Sequence, residues 1–492
     1  MSDLELTAEN PSQQGLWAAF VRSVRVNVFA ELFSQGVRVG GFIFLARALA
    51  PADFGILRVL ITAAGLVGMV SSAGFPDAII QREEITIDHE ATAWWLNLAL
   101  SVASAVVLYL LAGAISWAMA MPALKAALWV MAIPVLIDGS SSIANARLRR
   151  RLRFSALAAA DFSGELAFLA AAAVTIWMRQ PRWSLVAALA ARLTCHGLVI
   201  WFSDPYVPLR IPRPAAARDL LRFSASVWGG RVLGTLSQNA DYLLVGRFLG
   251  SQILGYYVIS WDLLRFIPDR LYYVAGRVTL PAFCRLQHDN AALAHAYREF
   301  TSYIAKLILP IMTCAAVAAP YVIVGLYGEQ WLPAASPLRI LVVGLSLVGL
   351  RLGIGSIYYS KDHPSIDIFL HGARLILIVV AVTATVRFGL IGVCAAMTAV
   401  ETAISIAGQF VAGRLIGMSM LAWMQACSAG FKLALVCGVG ALIGVGLAKM
   451  FDVRGAMALA VIAIPSALGF FWFGIDTARE LIVGAIAPEA SN

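Results

Sequence analysis

The residues of this chain that could do chemistry are ionisable side chains set inside long apolar runs. Arg38 and Arg58 lie in the first two such runs, and Arg231, Asp241, Asp262 and Arg265 in a later pair. An arginine at the centre of a bilayer costs at least about 2.5 kcal/mol on insertion scales, so each must face a partner or a wet cavity. Glu31, Ser34, Gln35 and Arg38 recur at i, i+3, i+4 and i+7, which puts them on one helical face. A guanidinium there suits a cavity-lining role: its planar fork donates two parallel hydrogen bonds and keeps its charge at any working pH. The expected substrate-binding set is Arg38, Arg58 and Arg231, with Gln35 and Gln238 around them. The expected coupling-ion residues are Asp241, Asp262 and Glu31. Asp241 comes first, because it lies beside Asn239 and no basic residue adjoins it before Arg247. Glu31 is expected to orient Arg38 in the empty state.

Plainer readings stand beside these. Asp241 could simply cap or staple its helix at the outer surface. Asp262 and Arg265, at i and i+3, can neutralise each other. Asp161 and Glu165 share a helix face at i and i+4, where like charges could raise a pKa and make a proton site, but they are expected instead to pair with the basic Arg147–Arg153 loop. Arg222, Arg351 and Arg374 lie near the expected helix ends, where long side chains can snorkel to the headgroups. Glu401 is the lone acid of its run, beside Thr402 and Ser405.

Enzyme signatures are absent. No GxxxxGK[ST] cradles a nucleotide phosphate, no GxSxG elbow occurs, and no acidic pair sits on a sizeable outer loop. The six cysteines lie singly in or beside apolar runs, and the six histidines are scattered without an HExxH. Neither a metal centre nor a cofactor is expected, and the chain reads as a transporter rather than an enzyme.

The elements that carry these residues follow from composition. Hydrophobic residues make up 60% of the 492 and charged residues only 13%, with a mean hydropathy of +0.81. A soluble chain carries about 25% charged residues, so this is an all-α polytopic membrane protein. A span needs about 20 mostly apolar residues. About fourteen transmembrane helices are expected, near 24–48, 54–75, 92–117, 124–145, 155–177, 183–202, 220–246, 254–275, 301–325, 334–357, 367–387, 389–413, 425–448 and 456–474. The split between the eleventh and twelfth rests on Arg387, Phe388 and Gly389.

The net charge of +9 is explained by topology and needs no nucleic acid. Arg147, Arg149, Arg150, Arg151 and Arg153 share one loop, Arg210, Arg213 and Arg218 the next on that side, and Arg277, Arg285 and Arg298 the third. By the positive-inside rule these loops and both termini are cytoplasmic. Residues 1–23 form a cytoplasmic segment without a secretory signal, 24–202 a six-helix bundle, and 203–219 a proline-rich linker. A second six-helix bundle covers 220–413, two additional helices 425–474, and a cytoplasmic tail 475–492. Residues 290–300 read as a short amphipathic helix at the inner surface.

The bundles are related by an internal repeat. Leu45-Ala46-Arg47-Ala48-Leu49 and Gly55 align without gaps on Val245-Gly246-Arg247-Phe248-Leu249 and Gly255. Glu31, Gln35 and Arg38 then fall on Arg231, Thr235 and Gln238. Six spans separate the copies, so the halves run in parallel about an axis along the membrane normal.

Leu49 to Gly55, Gly74 to Arg82, Asn239 to Gly250 and Pro281 to Gln287, in that order, resemble Wzx-type oligosaccharide flippases of the fourteen-span branch. The similarity covers roughly residues 20–420. It places the chain with the multidrug/oligosaccharidyl-lipid/polysaccharide exporter superfamily. The resemblance implies two pseudo-symmetric six-helix bundles around a central cavity, working by alternating access. It implies a polyprenyl-pyrophosphate-linked oligosaccharide as substrate, flipped across the bacterial inner membrane for exopolysaccharide, capsule or O-antigen synthesis. A polysaccharide polymerase and chain-length or export machinery are implied as partners beside the lipid bilayer. The alternatives are a cation-coupled drug exporter of the same superfamily and a membrane glycan polymerase or glycosyltransferase. The first calls for an acid-dominated cavity, the second for a large periplasmic loop.

Overall fold

The computed structural model describes residues 35–486 other than 73, 82–84, 209 and 454, without the side chains at 71–72, 222–227, 273–274, 277, 456 and 472–486. Glu31 and the side chain of Arg222 therefore lie outside the described residues. Every regular element among the described residues is helical. Proline sets several of the starts. It has no N–H to leave unbonded in a first turn and disfavours helical geometry in the residue before it. Helix α1 (35–48) accordingly gives way to α2 at Pro51, and α5, α7 and α8 each begin on a proline. The carboxylate of Asp53 accepts the Ala50 N–H at 3.2 Å and fixes the entry to α2.

The order continues as α2 (Pro51–Ser72), α3 (Phe75–Gln81), α4 (Ile87–Met119), α5 (Pro122–Arg150), α6 (Phe154–Trp177), α7 (Pro181–Ser203) and α8 (Pro214–Arg285). After these come α9 (Asn290–Val317), α10 (Ala319–Tyr327), α11 (Ala335–Leu350), α12 (Ile354–Ser360), α13 (Ser365–Thr385), α14 (Gly389–Ile416), α15 (Met420–Met450) and α16 (Gly455–Ile486). Helix α8 is two helices joined at Gly250, whose φ of 84° only glycine adopts freely. A 3₁₀ turn over Val386–Phe388 and Gly389 at φ 68° separate α13 from α14, where Arg387, Phe388 and Gly389 mark the break in the sequence. The amphipathic stretch at 290–300 is not a separate surface helix. It is the first part of α9, capped by the Asp289 carboxylate, which accepts the N–H groups of Ala291 and Ala292.

Ten stretches among the described residues are long and apolar enough to cross a membrane. Two of them, Trp228–Tyr272 and Ser365–Ile416, contain the breaks at Gly250 and at 386–389, so each supplies two crossings. Counted so, the described residues supply twelve crossings, beside the shorter apolar run Met457–Phe471 and the described part of α1.

The chain divides into two compact units, and one cut falls inside α8. The first comprises residues 1–45, 63–115 and 123–229, and the second 46–62, 116–122 and 230–492. Phe75, Ile79, Trp94, Ile143 and Leu220 form a core of the first unit, with Leu148, Ala160 and Ile200 in a neighbouring one. The proline-rich linker is part of this packing. Trp95 donates its indole N–H to the Arg210 carbonyl at 3.1 Å, and the Arg213 N–H reaches Thr92 Oγ1 at the same distance. In the second unit, Phe283, Tyr297, Tyr358, Trp423 and Cys427 share a core. Helices α15 and α16 belong to this unit, where Ala441, Ala448, Ala458 and Ile462 pack with Ala318. Small side chains there let helices approach closely, which is how helices gain packing energy in lipid.

The repeat is visible as one exchanged contact inside the second unit. A Cβ on Gly55 would fall 1.9 Å from the Ser251 carbonyl oxygen, and one on Gly255 would fall 2.0 Å from that of Pro51. Position 55 therefore meets 251 as 255 meets 51, which is what a local two-fold relation with the aligned register produces. Only glycine fits either place. Arg47 of the same element donates to the carbonyls of Leu326 (2.8 Å) and Gly325, binding the carboxyl end of α10 as cations do.

Candidate functional site

Each unit carries its own polar constellation. In the first, Arg38 projects from α1 onto Glu165 of α6, with its Nε at 2.9 Å and Nη2 at 2.7 Å from Oε1. Arg192 of α7 approaches the same oxygen at 3.1 Å. The Glu165 side chain is 4% exposed, while those of Arg38 and Arg192 are 38% and 37% exposed. Glu165 and Arg192 lie midway along helices of 24 and 23 residues, the wrong depth for snorkelling. One turn along the same pair of helices, His196 faces two carboxylates. Its Nδ1 lies 2.9 Å from Asp138 Oδ1 and its Nε2 lies 3.7 Å from Asp161 Oδ1.

This corrects one expectation. Glu165 and Asp161 pair with Arg38, Arg192 and His196, not with the basic Arg147–Arg153 stretch, most of which is the last turn of α5 rather than a loop. That stretch finds other acids: Arg147 is 6% exposed and binds Glu90 at 2.6 Å and Asp204 at 2.7 Å. Its guanidinium also covers the Tyr206 ring at 3.7 Å. Burial, with Glu90 nearby, pushes the Tyr206 phenol above its ordinary range, so it stays neutral. Arg150 donates to the Ile79 carbonyl and Arg151 to Asp204, so the stretch is a stapled junction.

In the second unit, Arg58 of α2 lies against α8. Its Nη2 is 3.5 Å from Asn239 Oδ1, its Nη1 is 3.6 Å from Asp262 Oδ2, and its guanidinium carbon is 3.7 Å from the Tyr242 ring centre. Tyr242 donates to Asp262 at 2.9 Å. Asp262 therefore serves Arg58 and Tyr242 rather than neutralising Arg265, which pairs with Asp269 at 3.1 Å. Asp241 is fully buried, not at a surface, and accepts the Tyr257 hydroxyl at 2.7 Å through Oδ2. Its Oδ1 has no hydrogen-bond partner. Arg231 and Gln238 are exposed on α8, and Gln35 is half-buried on α1.

A cavity of about 470 Å³ within this unit is lined by Gln238, Arg265, Arg351, His371, Arg374 and Glu401 among others. Arg374 does not snorkel. It is 5% exposed and donates through Nε to Glu401 Oε1 at 2.8 Å, and through Nη1 to the Ser237 carbonyl and to its hydroxyl at 3.2 Å. Glu401, itself 2% exposed, is thus the counter-ion that ties α13 to α14, and Arg374 ties both to α8. Arg351 lies 4.0 Å from the other Glu401 oxygen. The lone acid of one run and an arginine of the run before it were the signal for this pair, and an alignment of their helices was the missing piece.

Residues 44–336 match the family described as polysaccharide biosynthesis protein. The chain belongs to that family. Relatives of the chain include the teichuronic acid biosynthesis protein TuaB of Bacillus subtilis, 22% identical over 82% of this chain and 84% of that protein. Others are the lipopolysaccharide biosynthesis protein WzxC of Escherichia coli, 24% identical over 70% and 71%, and the succinoglycan biosynthesis transport protein ExoT of Rhizobium meliloti, 24% identical over 66% of each. Among solved structures, the lipid II flippase MurJ in an inward closed conformation matches 93% of this chain and 99% of its own, with a TM-score of 0.72 at 12% identity. An inward-facing multidrug transporter of the MATE family follows at a TM-score of 0.64 and 15% identity, over 78% and 94%. The fold is that of these transporters, and the fourteen-span flippase resemblance of the sequence agrees with it.

Proposed function

We propose that this protein flips a polyprenyl-pyrophosphate-linked oligosaccharide from the cytoplasmic to the outer leaflet of a bacterial inner membrane, for assembly of an exported polysaccharide. What carries the reading is that Arg38 and Arg58 are held by carboxylates on polar faces of membrane helices, in a chain of the polysaccharide biosynthesis family. Arg38, Arg58 and Arg231 are the proposed diphosphate-binding cations, and Gln35 and Gln238 the proposed hydrogen-bonding residues for the sugars, each taken within its own unit. The relatives named for teichuronic acid, lipopolysaccharide and succinoglycan support the substrate class. Both termini are cytoplasmic in this reading, which rests on the arginine-rich loops. A drug exporter is less well served. Arg265, Arg351 and Arg374 line the second unit's cavity beside Asp269, Asp367 and Glu401, so it is not the acid-dominated cavity that a cationic drug calls for.

The test is export of glycan in a strain lacking the gene, complemented with variants. Loss of a charge-assisted hydrogen bond costs about 1.5–3 kcal/mol, roughly ten- to a hundred-fold in affinity. Arg38→Ala and Arg231→Ala should abolish export with normal membrane levels, and lysine should rescue in part, because it lacks the fork. Arg222→Ala should be mild. Normal export by both alanine variants beside a defective Arg222→Ala would refute the assignment.

A further inference from the structure

The first unit contains a charge ladder. Asp161 and Glu165 are four residues apart on α6, and Arg192 and His196 are four apart on α7. The helices pair them rung by rung, Glu165 with Arg192 and Asp161 with His196. Arg38 closes the ladder at one end and Asp138 of α5 at the other. Gly197 permits the second closure, since a Cβ there would lie 3.0 Å from the Asp138 Cα.

With His196 neutral, the ladder holds three carboxylates against two arginines, and with His196 protonated the charges balance. An imidazole can donate to only one of its two carboxylate neighbours when neutral, and to both when charged. We propose that Asp138, Asp161 and His196 form a proton-binding site linked through Glu165 to Arg38, so that an anion bound by Arg38 brings a proton onto His196. The linkage rests on the reading of Arg38 as the diphosphate-binding residue. A diphosphate drawing Arg38 away leaves Glu165 with Arg192 alone, four residues from Asp161 on the same face. The uncompensated charge then favours the imidazolium, and by reciprocity a proton on His196 favours the anion. The groups facing His196 are Asp138 from α5, Asp161 from α6 and Arg192 on its own helix, with Glu165 and Arg38 one rung away. Asp138, Asp161 and His196 are all partly exposed.

The full-length protein in detergent micelles, titrated with farnesyl diphosphate by calorimetry in two buffers of different ionisation heat, reads the proton count directly. The probe's own ionisation is common to all variants. Wild type should take up more protons per bound probe than His196→Asn, by as much as one. As pH rises, its affinity should fall relative to the variant's by at most about tenfold per pH unit. Equal proton counts would overturn the proposal. A ligand-free arm separates the two readings. The wild-type Tm should change with pH between about 5 and 8, His196→Asn should lose that change, and Arg38→Ala should displace its pH range. Absent binding, or binding indifferent to Arg38→Ala, refutes Arg38 as the anion site. A Tm profile unchanged in His196→Asn refutes the proton site.

Discussion

Replacing Arg374 by leucine should destabilise the second unit severely, and replacing Glu401 as well should restore most of the loss. Arg374 and Glu401 are 5% and 2% exposed and tie α13 to α14, and Arg374 also holds Ser237 of α8. Removing the guanidinium takes away charge-assisted hydrogen bonds and strands a buried carboxylate whose nearest remaining cation is Arg351 at 4.0 Å. Breaking a buried pair by removing one partner costs about 3–5 kcal/mol, whereas exchanging both partners for apolar side chains is often neutral or stabilising. Arg374→Leu and Glu401→Leu should each fall in the first range. The double variant should lie within about 1 kcal/mol of wild type, because packing replaces a pair whose desolvation cancels much of its attraction. The measurement is a double-mutant cycle by reversible unfolding in mixed micelles, followed by tryptophan fluorescence. Single variants costing under about 1 kcal/mol, or a double variant costing the sum of both, would refute the counter-ion argument.

Gly55→Ala and Gly255→Ala should each cost about 1–3 kcal/mol through overpacking, since both Cβ atoms fall on backbone oxygens. As the two glycines form one exchanged contact, the double variant should cost less than the sum, and strict additivity in a thermal-unfolding series would count against that geometry. Asp241→Asn keeps the shape and the Tyr257 hydrogen bond. If Asp241 couples an ion, the variant loses transport chiefly where the gradient drives it, whereas an equal loss at every pH and ion gradient marks it as structural. Reporter fusions after residue 153 and after residue 492 should both read cytoplasmic, and a periplasmic signal from either would refute the fourteen-span topology.

The spans were legible because lipid enforces them: every crossing must satisfy its backbone internally, and apolar length is a strong signal. The break at Arg387–Gly389 and the glycine register of the repeat were readable from local sequence. Which polar faces meet was less legible. Glu401 and Arg374 were each weighed against their own helix, and single-helix spacing says nothing about the neighbour. His196 shows where the missing signal lay. Helices α6 and α7 are joined by only Met178, Arg179 and Gln180, so they must lie antiparallel side by side. In such a hairpin, partners move toward the turn on one helix as they do on the other. Glu165 and Arg192 form one rung, and one turn farther from the connection on each helix come Asp161 and His196. Two acids at i and i+4 on one helix and two bases at the same spacing on the next could have been paired from the sequence. Arg38 and Asp138 could not, because they arrive from other helices through packing that only the folded unit defines. The ladder is therefore half local and half tertiary. In the proposal above, the anion enters at Arg38, one tertiary end, and the proton at His196, which Asp138 holds at the other, so Arg38→Ala and His196→Asn are the two substitutions that separate gripping the substrate from driving it.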